Sequence, residues 1–148
     1  MGTLSGSASA DIDAPLDGVW AVVADVEAWP QWQGTLSGLD VEERDADERP
    51  SLCEVVFDAG VQKIETVQRL RYEPPLGLQF SQESGSLKSL DGSWRLEDLG
   101  DGRTRATYEL EVEAGGVLKM IISGAEEKLR ELLVTRLPGE LKARAEDA

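Results

Sequence analysis

Histidine is absent from this chain of 148 residues, and cysteine occurs once, at Cys53. Without histidine the chain lacks the commonest general base, the commonest metal ligand and every Ser-His or Cys-His nucleophile pair. One cysteine allows no intramolecular disulfide, so nothing in the sequence favours an oxidising compartment. We therefore expect no metal centre and no cofactor, and we expect Cys53 to be a small buried apolar residue.

Basic residues and long apolar runs are also scarce. Lys and Arg total 15 against 29 Asp and Glu, so the formal net charge is -14, and nucleic acid or an anionic membrane would repel the chain. No stretch approaches about 18 uninterrupted apolar residues, and the first ten residues lack the basic and apolar regions of a signal peptide. We expect a cytoplasmic protein that binds no nucleic acid and does not insert stably into a membrane.

The residues that are present fit one folded domain. Hydrophobic residues make up 41% of the chain, which is typical of a folded protein whose acidic residues lie on a solvated surface. A chain of this length can bury a core without disulfides, and no internal repeat or low-complexity linker marks a boundary. The sequence predicts a single domain over residues 1–148 and leaves the oligomeric state open.

The N-terminal part predicts a strand and two helices. A weak strand covers Leu4 to Asp13, and Pro15 suits the first turn of the helix that follows. Asp25 can cap a second short helix, and Pro30 makes a bend beside it. The apolar stripe of the first helix is spaced at i, i+3, i+4 and i+7: Leu16, Val19, Trp20 and Val23.

From about Leu36 onward, apolar residues alternate with polar ones, which predicts antiparallel strands joined by short turns. The acidic stretch from Glu42 to Arg49, followed by Pro50, predicts an exposed turn, and Asp58-Ala59-Gly60 predicts another. The residues expected to face inward are Cys53, Val55, Phe57, Ile64, Thr66, Gln68, Leu70, Tyr72, Leu78, Phe80, Gln82, Leu90, Gly92, Trp94, Leu96, Thr104, Ala106, Tyr108, Leu110 and Val112.

The register of one strand has two readings. A slip by one residue would turn Glu65, Arg69 and Arg71 inward in place of Thr66, Gln68 and Leu70. We prefer the register in which these charged side chains face outward, because it keeps the aliphatic residues of this strand away from water.

After Gly116 the pattern returns to a helical period and predicts a helix that runs to about Arg144. Pro138-Gly139 predicts a kink or break near its end. The residues expected to face the sheet are Leu118, Ile122, Leu129 and Leu133.

Several segments resemble the START-like (SRPBCC) polyketide cyclase/dehydrase family. They are Ile12-Asp13-Ala14-Pro15 through Val19-Trp20 to Ala24-Asp25, Val26 to Trp32, Leu87 to Leu96 with Gly102 to Arg105, and Glu140 to Glu146. The order of strand, two short helices, six strands and long helix is that of the α+β helix-grip (START/Bet v 1-like) fold. The resemblance implies a curved antiparallel sheet of about seven strands around a long C-terminal helix, with an apolar cavity between them.

Ten residues are candidates for lining such a cavity, because they are ring-bearing, polar or apolar residues expected on its walls. They are Trp29, Trp32, Phe57, Gln68, Tyr72, Phe80, Gln82, Trp94, Tyr108 and Leu129. The alternative is that the tryptophans simply fill a core, as large aromatic residues usually do. No catalytic residue can be named, and Asp25 is better explained as a cap than as an acid or base.

Three functions remain open from the sequence. The first is binding of a small apolar or aromatic molecule of the lipid, quinone or polyketide type without covalent chemistry. The second is a polyketide aromatase/cyclase that works by substrate positioning, for which an inward Arg69 or Arg71 would be evidence. The third is a chaperone-like partner of a larger assembly, which predicts an exposed apolar patch near Trp29 and Trp32.

Overall fold

The computed structural model describes residues 2–58 and 62–147 and forms an antiparallel sheet with helices on one face. The strands are β1 (Thr3–Ile12), β2 (Leu36–Arg44), β3 (Pro50–Asp58), β4 (Lys63–Glu73), β5 (Gly77–Gly85), β6 (Ser89–Gly100) and β7 (Arg103–Glu113). Their spatial order is β1-β7-β6-β5-β4-β3-β2, so the first strand pairs with the last and β2 forms the opposite edge. The predicted meander is confirmed.

Strand β7 shows how the period of two builds the core. Thr104, Ala106, Tyr108, Leu110 and Val112 are all buried, while the charged residues between them are exposed. The inward hydroxyl of Thr104 is satisfied, because it donates to the carbonyl oxygen of residue 14 at 2.8 Å. The apolar face of the strand therefore enters the core without leaving this polar group unpaired.

The register of β4 keeps its charged residues outside. Ile64, Thr66 and Gln68 are buried. Arg69 lies on the other face, where its guanidinium pairs with Glu83 at 2.9 Å and with Glu43 at 3.4 Å. The preferred reading of this strand is confirmed.

The connection from β1 to β2 contains α1 (Leu16–Ala24), a 3-10 turn (Val26–Ala28) and α2 (Trp29–Trp32). The first turn of α1 is held by the carbonyl oxygen of Pro15, which accepts from the amides of residues 18 and 19. The prediction that Asp25 caps the second helix is wrong, because its side chain makes no capping hydrogen bond. Its backbone carbonyl oxygen instead accepts from the amide of Ala28.

The turn between β2 and β3 is shorter than predicted, since β2 continues to Arg44. One carboxylate organises it: Asp45 accepts from the amides of Asp47 and Arg49 and pairs with the guanidinium of Arg49 at 3.0 Å. The other predicted turn, Asp58-Ala59-Gly60, lies largely outside the described residues.

The C-terminal helix is divided into segments: α3 (Gly116–Gly124), α4 (Glu126–Arg130), a π-helical turn (Glu131–Thr135) and α5 (Leu137–Glu146). The predicted break at Pro138-Gly139 is displaced, because Pro138 lies in the first turn of α5, where its missing N–H costs nothing. The larger break is at Ala125, whose φ of -143° leaves the helical region.

The inward stripe predicted for this helix is confirmed: Leu118, Ile122, Leu129 and Leu133 are all buried. The segments pack mainly against β1, and those from the π-helical turn onward also contact β7. Among the described residues, no helix is both long and apolar enough to span a bilayer.

Candidate functional site

The short helix α2 and three neighbouring strands bring aromatic rings together on the inner face of the sheet. Trp29 and Trp32 lie one turn apart on α2, and both are buried. Phe80 comes from β5, while Trp94 of β6 and Tyr108 of β7 are directly opposite each other in the strand register. We refer to these residues as the aromatic cluster.

The rings of the aromatic cluster contact one another in a continuous series. The centroids of Trp29 and Phe80 are 6.2 Å apart, those of Phe80 and Tyr108 6.1 Å, and those of Tyr108 and Trp94 4.7 Å. Trp32 ends the series, 6.0 Å from Trp94. Such edge-on, tilted and stacked contacts add stability beyond the area that the rings bury.

Gly92 makes the central contact possible. It lies between Phe80 on one neighbouring strand and Leu110 on the other, and it faces inward. A Cβ atom at this position would be 2.3 Å from Cζ of Phe80. The phenyl ring therefore occupies the space that a side chain on β6 would take, which lets it reach Tyr108.

A small, partly open cavity of about 40 Å³ lies beside the aromatic cluster, under the C-terminal helix. Of the ten candidates from the sequence, those that line it are Trp29, Phe57, Gln68, Phe80 and Tyr108. A volume of this size admits only a few water-sized molecules.

The other candidates lie elsewhere. Trp32 and Trp94 lie behind Tyr108, away from the cavity surface. Tyr72 is at the far end of β4, where its hydroxyl donates to the carbonyl oxygen of Pro50 at 2.5 Å and its ring contacts the Arg49 guanidinium.

Gln82 and Leu129 complete the set of candidates outside the cavity. The Gln82 side chain donates to the carbonyl oxygen of Leu87 at 2.8 Å. Leu129 is buried one turn too early in the helix to reach the cavity, whose roof is formed by Leu133 and Leu137.

Sequence reasoning did not single out several residues that line the cavity: Thr35, Leu36, Val55, Leu90, Leu110, Leu133 and Leu137. A signal existed for most of them, because they belong to the inward sets or to the helical stripe. What the pattern lacked was any information on which inward residues border the same space.

The polar groups near the cavity are neutral. Gln68 donates to the hydroxyl of Thr66 at 2.9 Å, and that hydroxyl donates to the carbonyl oxygen of Val55 at 3.4 Å. Burial raises the pKa of Tyr108, so its hydroxyl stays protonated at neutral pH. Burial is also the main reason why the pKa of Cys53 rises to about 11, which makes this thiol a weak nucleophile.

A surface cleft of about 270 Å³ adjoins the cavity. Thr35 lines both spaces, and Arg136 and Glu140 line the cleft from the helix side. The carboxylate of Glu140 accepts from the backbone amide of Gly34 at 3.0 Å, which ties α5 to the loop before β2.

A larger cleft of about 690 Å³ lies on the opposite, outer face of the sheet. Its walls are mostly serines and charged residues, with Arg69 and Arg71 on one side and Glu109 and Glu111 on the other. These walls do not suit an apolar ligand. In the described part of the chain, no group of three or more Cys, Asp or Glu side chains could hold a metal ion.

The family model described as "Polyketide cyclase / dehydrase and lipid transport" matches residues 12–137 of the chain. No curated protein matches the sequence. Several solved structures share the fold across most of both chains.

A START superfamily protein from Mycobacterium smegmatis is 22% identical, with 97% of each chain covered and a TM-score of 0.79. A protein from Thermus thermophilus is 20% identical, with 95% of this chain and 96% of that chain covered and a TM-score of 0.82. An aromatase/cyclase from a Streptomyces species is 16% identical, with 97% and 94% covered and a TM-score of 0.78. At these identities the similarity shows the helix-grip fold alone.

Proposed function

Because this chain belongs to the polyketide cyclase/dehydrase and lipid transport family, we propose that it binds a small apolar or aromatic molecule between the sheet and the C-terminal helix. The observation that carries this proposal is a ring-lined cavity that meets a surface cleft at Thr35. Ligand sites of this kind combine apolar and aromatic walls with a few polar groups, as Gln68 and Tyr108 provide here.

Binding of a ring requires the cavity to enlarge. A cavity of about 150 Å³ is known to hold benzene, whereas the space beside the aromatic cluster is about 40 Å³. The roof is suited to such movement, since the 21 residues of 126–146 are separated from α3 by the break at Ala125 and contain a π-helical turn. Turns of this type often occur where a helix serves a functional site.

Binding without catalysis is favoured by the positions of the charged side chains. Arg69 is outward and engaged in ion pairs, and Arg71 is exposed on the same face, so neither can orient an enolate in the cavity. Among the described residues that line the cavity, Tyr108 is the only ionisable one. A neutral hydroxyl can donate a hydrogen bond, but it is a poor base at neutral pH.

A polyketide aromatase/cyclase is the second candidate. It is supported by the fold shared with the Streptomyces aromatase/cyclase and by the position of Tyr108, whose hydroxyl could donate to a substrate carbonyl. Turnover of a poly-β-ketone substrate that is lost in Tyr108→Phe would favour this function over binding alone.

The chaperone-like function predicted an exposed apolar patch near Trp29 and Trp32. This prediction is wrong, because the two side chains are only 4% and 8% exposed. Among the residues that the structure describes, the large exposed apolar side chains lie elsewhere, at Leu76, Val117 and Met120.

The proposed function is tested by titrating the protein with fused-ring hydrocarbons and ketones, farnesol and palmitate, while tryptophan fluorescence and the melting temperature are followed. A ligand at a hundred times its dissociation constant should stabilise the fold by about 2.7 kcal/mol. Leu137→Phe, which fills the cavity, should weaken binding, whereas Met120→Phe on the exposed face of α3 should leave it unchanged. Failure of every compound to bind or stabilise the protein would contradict the proposal.

A further inference from the structure

Two adjacent indole groups in the core lack hydrogen-bond acceptors. Trp94 is fully buried and Trp32 is 8% exposed, yet neither Nε1–H group meets an acceptor among the described residues. Trp29, on the same helix as Trp32, donates to the carbonyl oxygen of Val23 at 2.9 Å. Since leaving a buried donor unpaired costs about 1–3 kcal/mol, two such donors in contact require an explanation.

In the core, unpaired hydrogen-bond donors outnumber unpaired acceptors. The buried side-chain atoms without partners include the N–H groups of Trp32, Trp94 and Gln33, against a single acceptor oxygen on half-buried Gln82. What these groups lack is therefore an acceptor. The hydroxyl of Tyr108 adds a further potential donor at the cavity wall.

The unpaired indoles are close to the cavity. The ring of Trp94 lies 4.7 Å from that of Tyr108, and Trp32 lies behind Trp94. A ligand that enters beside Tyr108 would reach the two N–H groups only by displacing the Tyr108 ring.

The surroundings also restrict the charge of the acceptor. In the described part of the chain, the buried polar residues are Gln33, Thr66, Gln68 and Thr104, so no buried Lys or Arg accompanies the indoles. A carboxylate at this depth would lose its hydration without gaining a cation. A ketone, quinone or ester oxygen would accept the hydrogen bonds without that penalty.

We propose that Trp32 and Trp94 select ligands that carry a neutral carbonyl oxygen, because their indole N–H groups donate to it, over hydrocarbons and carboxylates of the same shape. This inference rests on the proposed function and specifies which chemical group the ligand presents to the two indoles. Trp32 and Trp94 then determine specificity, while the other rings provide apolar contact.

The test compares tetralone, tetralin and tetralin carboxylate, which share one bicyclic skeleton, by isothermal titration calorimetry. Two donated hydrogen bonds should make tetralone bind about tenfold more tightly than tetralin, and the carboxylate should bind most weakly. Trp32→Phe and Trp94→Phe each keep a ring and remove the donor, so each should reduce the preference for tetralone over tetralin. Trp20→Phe is the control, because this tryptophan lies on α1 and does not line the cavity, so the preference should not change.

A second measurement on the unmodified protein covers the case in which a variant fails to fold. The indole N–H proton resonances of Trp32 and Trp94 should move downfield with tetralone, as hydrogen-bonded protons do, and should not move downfield with tetralin. Equal affinity for the two compounds, or tighter binding of the carboxylate, would overturn the inference while leaving the proposed function intact. Absence of binding by all three compounds would contradict the inference, and it would contradict the proposed function as well if farnesol and palmitate also fail to bind.

Discussion

At the scale of single residues, the aromatic cluster depends on a glycine, Gly92, which has no side chain. Gly92 leaves room for the Phe80 ring, which then stacks on Tyr108 with their planes 27° apart. Cores are packed nearly as densely as organic crystals, so even one added methyl group at such a contact is felt.

We expect Gly92→Ala to destabilise the protein by about 1–3 kcal/mol, because the new Cβ would overlap the Phe80 ring and force it to move. Urea unfolding followed by circular dichroism would measure the loss. Gly38→Ala in β2 is the matched control, since its Cβ would lie 3.9 Å from Val56, an ordinary contact.

The same mechanism predicts partial rescue. Shortening the opposing side chain in the double variant Gly92→Ala/Phe80→Leu should cost less than the sum of the two single changes, since residues in contact do not behave additively. Strict additivity of the two changes would show that the overlap is not the cause.

The side chains that face inward could be predicted from the sequence, because strand alternation is a local property. Thr66 and Gln68 were placed inside and Arg69 outside on this basis, and all three are found there. Which inward residues share a cavity could not be predicted. Tyr72 and Phe80 face the same side of the sheet, but Tyr72 lies near Pro50 and Phe80 lies beside the cavity.

At the scale of elements, the C-terminal helix consists of several segments, and the later ones cover the cavity. The sequence predicted its existence, its start after Gly116 and its buried stripe. It did not predict the break at Ala125 or the π-helical turn at Glu131–Thr135, because both depend on how the helix meets β1 and β7. The break matters for function, since it separates the roof from α3.

The contact between Glu140 and Gly34 is expected to control the speed of ligand exchange. Removing it in Glu140→Ala should raise both the association and the dissociation rates several-fold with little change in affinity, since the carboxylate ties α5 to the loop beside the cleft and does not line the cavity. Stopped-flow tryptophan fluorescence would measure both rates. Glu127→Ala on α4, away from the cleft, is the control, and equal rates in all three proteins would contradict the prediction.

At the scale of the whole molecule, acidic residues outnumber basic ones by 29 to 15, so not every carboxylate can have a cation of its own. Arg105 pairs with Asp11 at 2.8 Å and lowers the pKa of that carboxyl mainly through a hydrogen bond. On the outer face of the sheet, by contrast, Glu111 lies directly opposite Asp91, and like charges in such a position are destabilising.

We therefore expect the melting temperature to rise by several degrees between low salt and about 0.15 M salt, where the Debye length falls to about 8 Å and self-repulsion is screened. Differential scanning calorimetry would measure it. Glu111→Gln should show a smaller increase than the unmodified protein. A melting temperature that falls with salt would mean that ion pairs such as Asp11–Arg105 outweigh the repulsion.

One of the two edges of the sheet has a consequence for assembly. Strand β2 forms this edge, and its pairing with β3 is interrupted by register shifts near Gly38 and Glu43. Its exposed acidic side chains, among them Asp40 and Glu42, would repel the same strand of another copy. An irregular and negatively charged edge is a poor template for a further strand, so sheet growth from one molecule to the next ends at β2 and fibril formation has no starting point there.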